Sequence, residues 1–228
     1  YDKAYGVNEV YQNDSGEWES DLTSDNFKTA LESFVNLDLE DGTVPAGAYE
    51  TAYQDAVTYF ANEQTGLIIS GSNAVGAILN RNPELAGKLG SIAIPAGTTE
   101  DGRHVTNLQV SGYAITSTCE HPEEMAAYLE FAASYDNAVS FGSQTGRIPV
   151  TESALADEAF SGDEYTGFKD CMQYSIPYST FPGYAEVQDI MGEAYNSMLT
   201  GTSLEDAMAT VDSVSYTHLR AHETLSDL

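Results

Sequence analysis

The stretch TGLIISGSNAVGAIL, from Thr65 to Leu79, constrains the fold more than any other part of the chain. Leu67, Ile68 and Ile69 form a short apolar run that passes directly into Ser70, Gly71, Ser72 and Asn73. Ala74, Val75, Ala77, Ile78 and Leu79 then resume an apolar pattern. The order predicts a buried strand, a tight turn and the start of a helix. A turn of this kind leaves free backbone N–H groups at the helix N-terminus, where a ligand can be held.

The alternation recurs along the chain. TSDNFKTALESFVNLDLEDG predicts a helix that starts at Thr23 or Ser24, buries Phe27, Ala30, Leu31 and Phe34, and has Gly42 beyond its end. GAYETAYQDAVTYFANEQTG predicts another, with Tyr49, Tyr53, Ala56, Val57 and Phe60 on its apolar face. The helix after Asn73 is expected to stop near Gly87 or Gly90, and GSIAIPAG to form a short strand. VTNLQVSGYAITST has strand-favouring residues around Gly112.

HPEEMAAYLEFAAS predicts a helix with Pro122 in its first turn, Glu123 and Glu124 at the positive end of its dipole, and Met125, Tyr128, Leu129 and Ala132 buried. YDNAVSFGSQ reads as a short helix and TGRIPV as a loop into a strand. GYAEVQDIMGEAYNSMLTG reads as a long amphipathic helix ended by Gly201. In SLEDAMATV, Ser203 and Asp206 are placed like a capping box. Strands alternating with helices make the class α/β.

Charge excludes several partners. The formal net charge is −28 with only 8 Lys and Arg, so nucleic acid and anionic membrane surfaces are not expected. No apolar run is long enough to span a bilayer. The chain begins with Tyr1, so the lack of a targeting segment says nothing about location. Two cysteines, Cys119 and Cys171, say little about compartment.

Catalytic patterns are absent. There is no Gly-x-Ser-x-Gly elbow, no phosphate-cradling glycine loop and no dinucleotide fingerprint. His121 precedes a helix and reads as a surface or capping residue; His104 lies in an acidic loop and reads as solvated. Carboxylates are so abundant that an imagined acid–base pair carries no information. No catalytic residue, metal site or cofactor is therefore assigned. The last stretch, VSYTHLRAHETLSDL, concentrates Arg and His in a body almost free of basic residues. It reads as translated sequencing read-through, an artefactual tail over 214–228, rather than as a pair of zinc ligands.

Binding remains. Tyr113, Tyr174, Tyr178, Phe181 and Tyr184, with Asn73, Asn107 and Gln109, supply aromatic faces and amides. Sugars need that mixture: rings pack on the C–H face of a pyranose and amides bond the hydroxyls. Core packing explains any one tyrosine equally well, but the loop QYSIPYSTFPGYAEV gathers several ahead of a helix.

Five segments taken in order resemble one family: FANEQTGLIISGSNAVGAIL, LGSIAIPAG, VSGYAITSTCEHPEEMAAYLEFAAS, TGRIPV and FPGYAEVQDIMGEAYNSMLTGTSLEDAM. From about Gly16 to Val211 the chain is similar to the extracellular solute-binding proteins of ATP-binding-cassette importers, in the sugar-binding group that includes maltodextrin-binding proteins. The resemblance implies a periplasmic-binding-protein-like type II two-lobe fold that closes on its ligand by hinge bending. It implies that this chain is the C-terminal lobe plus part of the N-terminal lobe. Residues 1–106 would be the first part of the C-terminal lobe, 107–147 the hinge crossing and N-terminal-lobe remnant, and 148–213 the second part.

The resemblance also implies ligand contacts from Ser72, Asn73, Asn107, Gln109, Phe181 and Tyr184. Sugar-binding relatives often carry Trp in the turn where this chain has Asn73, so one stacking platform is absent and a long oligosaccharide is disfavoured. It implies a sugar or oligosaccharide ligand, the permease subunits of an importer as partners, a monomer, and an extracytoplasmic location, periplasmic or as a cell-surface lipoprotein. Cys119 and Cys171 would lie in different lobes that move, so two free thiols are expected. A module for peptides or other small solutes and a carbohydrate-active enzyme stay open as alternatives.

Overall fold

The computed structural model describes residues 1–177 and 184–212. In chain order these hold β1 (Tyr11–Gln12), β2 (Trp18–Glu19), α1 (Asp25–Leu39), α2 (Tyr53–Ala61), α3 (Asn73–Arg81), β3 (Thr106–Leu108), α4 (Pro122–Ala132), α5 (Tyr135–Thr145), α6 (Glu152–Leu155), α7 (Asp163–Cys171), β4 (Ser175–Pro177) and α8 (Tyr184–Leu199). A last helix spans 204–212. Strand β1 pairs antiparallel with β2, with Tyr11 opposite Glu19 and Gln12 opposite Trp18; β3 pairs with β4. The chain divides into two compact units, one of residues 1–50, 94–107 and 176 onward, the other of 51–93 and 108–175.

In the first unit, α1 packs against α8. Ser24 caps α1: its Oγ accepts the N–H of Phe27 at 3.2 Å. Phe27, Ala30, Leu31 and Val35 are buried. Val35 takes the buried place that the periodicity assigns to Phe34; Phe34 instead lies between the rings of Tyr1 and Tyr195, at centroid distances of 4.8 and 4.9 Å. From α8, Val187, Ile190, Ala194 and Met198 complete the core together with Leu22, Met208 and Val211. Each large side chain buried this way contributes about 1.5–3 kcal/mol. Ser203 Oγ accepts the N–H of Asp206 at 3.1 Å and donates to its carboxylate at 2.8 Å, a variant of the expected capping box. Lys3 and Glu9 form a buried ion pair at 3.4 Å. Burial and then the charge of Asp2 push the Glu9 carboxyl up, with Lys3 opposing.

The second unit is built around α3, which packs on α2 and α5. Val57 and Ala61 of α2 meet Ala74 and Ile78 of α3 and Leu85. Val75, Phe160 and Tyr165 form a second cluster, with Phe160 edge-on to Tyr165 at 5.3 Å. Helix α3 approaches the end of α5 closely at Gly76, where a Cβ would stand 2.5 Å from the carbonyl of Thr145. Gly146 answers it with φ +73° and no room beside the Gly76 amide.

Several expectations are corrected. Leu67–Ser70 is not a strand, and Leu67 and Ile69 are exposed. GSIAIPAG and TGRIPV likewise form no strand, and of VTNLQVSGYAITST only Thr106–Leu108 is a strand. A strand needs a run of backbone bonds to a neighbouring strand, and among the described residues these segments have at most isolated ones, such as Ser91 N–H to Asp163 O at 3.1 Å and Gly97 N–H to Ala4 O at 2.9 Å. Helix α4 buries no residue; Met125 and Tyr128 are exposed. Tyr49 sits in a 3-10 turn ahead of α2, and it and Tyr53 are exposed. Helix α3 ends at Arg81, well before Gly87, because Pro83 starts a separate turn and Asn82 Oδ1 accepts the Glu84 N–H at 3.2 Å.

Candidate functional site

The turn into α3 holds Ser72 and Asn73. Ser72 Oγ accepts the N–H of Ile148 at 3.3 Å, which ties the turn to the segment after Gly146. The expected free N–H groups are partly spent: Ala74 N–H reaches Gly71 O and Val75 N–H reaches Ser72 O, both at 3.0 Å. These short bonds tighten the first turn and leave side chains as the main donors there.

Asn73, like Ser72, is half-buried. Its Nδ2 donates to the hydroxyl of Tyr53 at 2.7 Å. A Cβ on Gly71 would stand 3.0 Å from Asn73 Oδ1, so glycine gives the amide room to fold back over the turn. Tyr53, the first residue of α2, is 42 % exposed. Its neighbour Gln54 bonds Arg81 at the far end of α3, which also donates to Ala77 O at 3.1 Å. The hydroxyl of an exposed tyrosine is thus held by an amide. Sequence reasoning assigns Tyr53 to a buried helix face, and only its exposure reveals the juxtaposition. A separate depression of about 430 Å³ lies along α3 and α5, lined by Val75, Leu79, Ser143, Gln144 and Tyr165, and includes none of the expected site residues.

The other expected residues fall elsewhere. Asn107 in β3 and Gln109 just after it are exposed, and alternation puts them on one face of the extended chain. Tyr184 opens α8 in the first unit, half-buried against its core, with its hydroxyl accepting from Gln188 Nε2 at 2.8 Å. Phe181 lies outside the described residues, as do Tyr178 and the tail. Cys119 and Cys171 are half-buried and not bonded to each other. Among the described residues no cluster of three or more His, Cys, Asp or Glu is placed to hold a metal ion.

The family of bacterial extracellular solute-binding proteins matches residues 1–139. The chain belongs to this family. Solved structures agree on the fold of this solute-binding protein. A maltose-bound MalE3 from T. maritima is 21 % identical with a TM-score of 0.76, covering 95 % of this chain and 56 % of its own. A Thermus thermophilus maltotriose-binding protein with maltotriose bound is 19 % identical at TM-score 0.73, covering 93 % and 57 %. The sugar-binding protein MalE from Xanthomonas citri is 15 % identical at TM-score 0.73, covering 98 % and 56 %. This solute-binding protein therefore spans a little over half the length of those chains. No curated protein matches the sequence. Among the described residues no helix is long and apolar enough to cross a membrane.

Proposed function

We propose that this chain is part of an extracytoplasmic sugar-binding protein that delivers a sugar or short oligosaccharide to the permease of an ATP-binding-cassette importer. The observation that carries the reading is the Asn73–Tyr53 pair, an exposed ring with its hydroxyl fixed by an amide. A pyranose offers that pair an apolar face for stacking and hydroxyls for bonding. Family membership supports solute binding, and the maltose and maltotriose held by the structural neighbours support carbohydrate as the class.

The ligand contacts we propose are Ser72, Asn73 and Tyr53 in the second unit and, each taken by itself on the strength of the resemblance, Asn107, Gln109, Phe181 and Tyr184. Binding rather than catalysis is the role, with no cofactor or metal. The lobe assignment follows the resemblance: 1–106 and 148–213 to the C-terminal lobe and 107–147 to hinge and N-terminal lobe, in a monomeric extracytoplasmic protein, periplasmic or a cell-surface lipoprotein. The test is a thermal-shift screen with maltose, maltotriose, small peptides and polyamines, followed by calorimetry. A ligand that binds only the native state raises the melting temperature. A shift with the sugars alone is expected; a shift with peptides or polyamines and none with sugars overturns the carbohydrate reading.

A further inference from the structure

The depression along α3 and α5 lies wholly in the second unit and shares no residue with the sugar contacts. Its volume of about 430 Å³ falls in the range of small-molecule pockets, roughly 300–1,000 Å³. Val75, Leu79 and Tyr165 supply its floor, and Asn80, Ser143 and Gln144 an exposed polar rim. One group is out of keeping with its burial. Tyr165 is only 4 % exposed, yet among the described residues its hydroxyl has no hydrogen-bond partner. Other tyrosine hydroxyls are bonded: Tyr5 to Ser33 at 2.6 Å, Tyr11 to Glu19 at 2.9 Å and Tyr53 to Asn73 at 2.7 Å. A buried tyrosine usually finds a partner, because a hydroxyl taken from water without one is destabilising. The Tyr165 oxygen is not sealed off: among the described residues only an Asp2 oxygen is both unbonded and fully buried. The depression is thus the side from which a partner reaches it. Burial, and then the charge of Glu164, push the phenol up, so it remains a donor at neutral pH.

We propose that this depression is a second binding site, for a small uncharged amide or lactam whose carbonyl accepts the Tyr165 O–H and whose N–H donates to the rim. The rim has acceptors to spare. Gln144 Nε2 donates to Ser140 Oγ at 2.9 Å, which leaves its Oε1 to accept. Ser143 Oγ donates to Ser140 O at 3.1 Å and keeps its lone pairs. No charged side chain lines the depression among the described residues, so nothing there draws a cation, and a chain of net charge −28 repels anions. A sugar is the poorer occupant. The Tyr165 ring is buried and edge-on to Phe160 at 5.3 Å, so a pyranose finds no aromatic face to stack on. The proposal does not rest on the sugar reading.

The experiment is an NMR titration of the isotope-labelled chain with δ-valerolactam, with maltose and acetate as comparison probes. Saturable shifts are expected at the amides of Leu79, Asn80 and Gln144, with those of α1 unmoved. Tyr165→Phe should weaken the lactam about tenfold. It should leave the melting temperature unchanged or raised, because no internal hydrogen bond is lost. Asn73→Ala should not alter lactam binding. No saturable shift with the lactam, or undiminished affinity in Tyr165→Phe, overturns the proposal. So does a lower melting temperature in Tyr165→Phe, which would show that the hydroxyl already has a partner. Shifts at the depression with maltose or acetate and none with the lactam overturn the ligand class, and a loss in Asn73→Ala moves the lactam to the sugar contacts and overturns the site. Should Tyr165→Phe fail to fold, Ser143→Trp on the exposed rim decides. Its indole should fill the depression and abolish binding, and undiminished binding overturns the site.

Discussion

A methyl group at Gly76 separates two opposing effects. In an open helix Gly→Ala stabilises by about 1 kcal/mol. At this position the new Cβ would stand 2.5 Å from the Thr145 carbonyl, a backbone group that cannot swing aside. Overpacking of that kind costs about 1–3 kcal/mol. Gly76→Ala is therefore expected to lower stability, read as a lower urea midpoint with an unchanged slope; a raised midpoint would show that α3 and α5 are not in contact there. The proposed ligand contacts, each taken by itself, differ in weight. Tyr184→Ala should weaken sugar binding by about 2 kcal/mol, roughly thirtyfold, and Asn73→Ala by about 1 kcal/mol because water can replace its bond. Tyr184 also packs on the core of the first unit, so Tyr184→Phe is the control. Calorimetry should find affinity largely kept in Tyr184→Phe; equal loss in both variants would move the role from the ring to the hydroxyl that Gln188 holds.

Two helices of similar pattern have opposite fates. Helix α1 buries Phe27, Ala30, Leu31 and Val35, while α4 buries nothing. Phe27→Ala should cost about 3–5 kcal/mol through lost burial and a cavity. Tyr128→Ser should change stability by less than about 0.5 kcal/mol, as at an ordinary surface position. Chemical denaturation of both variants measures the contrast, and a loss above 1 kcal/mol at Tyr128 would mean that α4 already has a covered face. The helices were legible in sequence because their signals are local. Ser24 caps α1, Pro122 opens α4, and Gly201 closes α8 with φ +107°. The boundary missed at Arg81 has a local cause too, in Pro83, which outweighs the glycines further on.

At the scale of the whole molecule, a charge of −28 on 228 residues acts against the compact state through self-repulsion. Raising ionic strength screens that repulsion, with a Debye length falling from about 10 Å at 0.1 M to about 3 Å at 1 M. The melting temperature should therefore rise with added sodium chloride, and scanning calorimetry across that range tests it. A flat or falling curve would show that the favourable pairs, such as Lys3 with Glu9, matter more than the net charge.

The sequence by itself determined most of the helices, α6 and α7 excepted, the cap of α1, the α/β pattern and, through ordered segments, the family. Each of those signals lies within one turn of backbone or in the order of neighbouring stretches. Pairing and exposure were decided by tertiary structure alone. Whether Leu67–Ile69 becomes a strand depends on a neighbour distant in sequence, and that neighbour is absent among the described residues. The same holds for Tyr53. Its spacing marks it as a core residue of α2, and only the approach of α3 turns its hydroxyl to Asn73 and leaves its ring partly exposed to solvent. Local periodicity says which side chains share a face; it cannot say what that face meets.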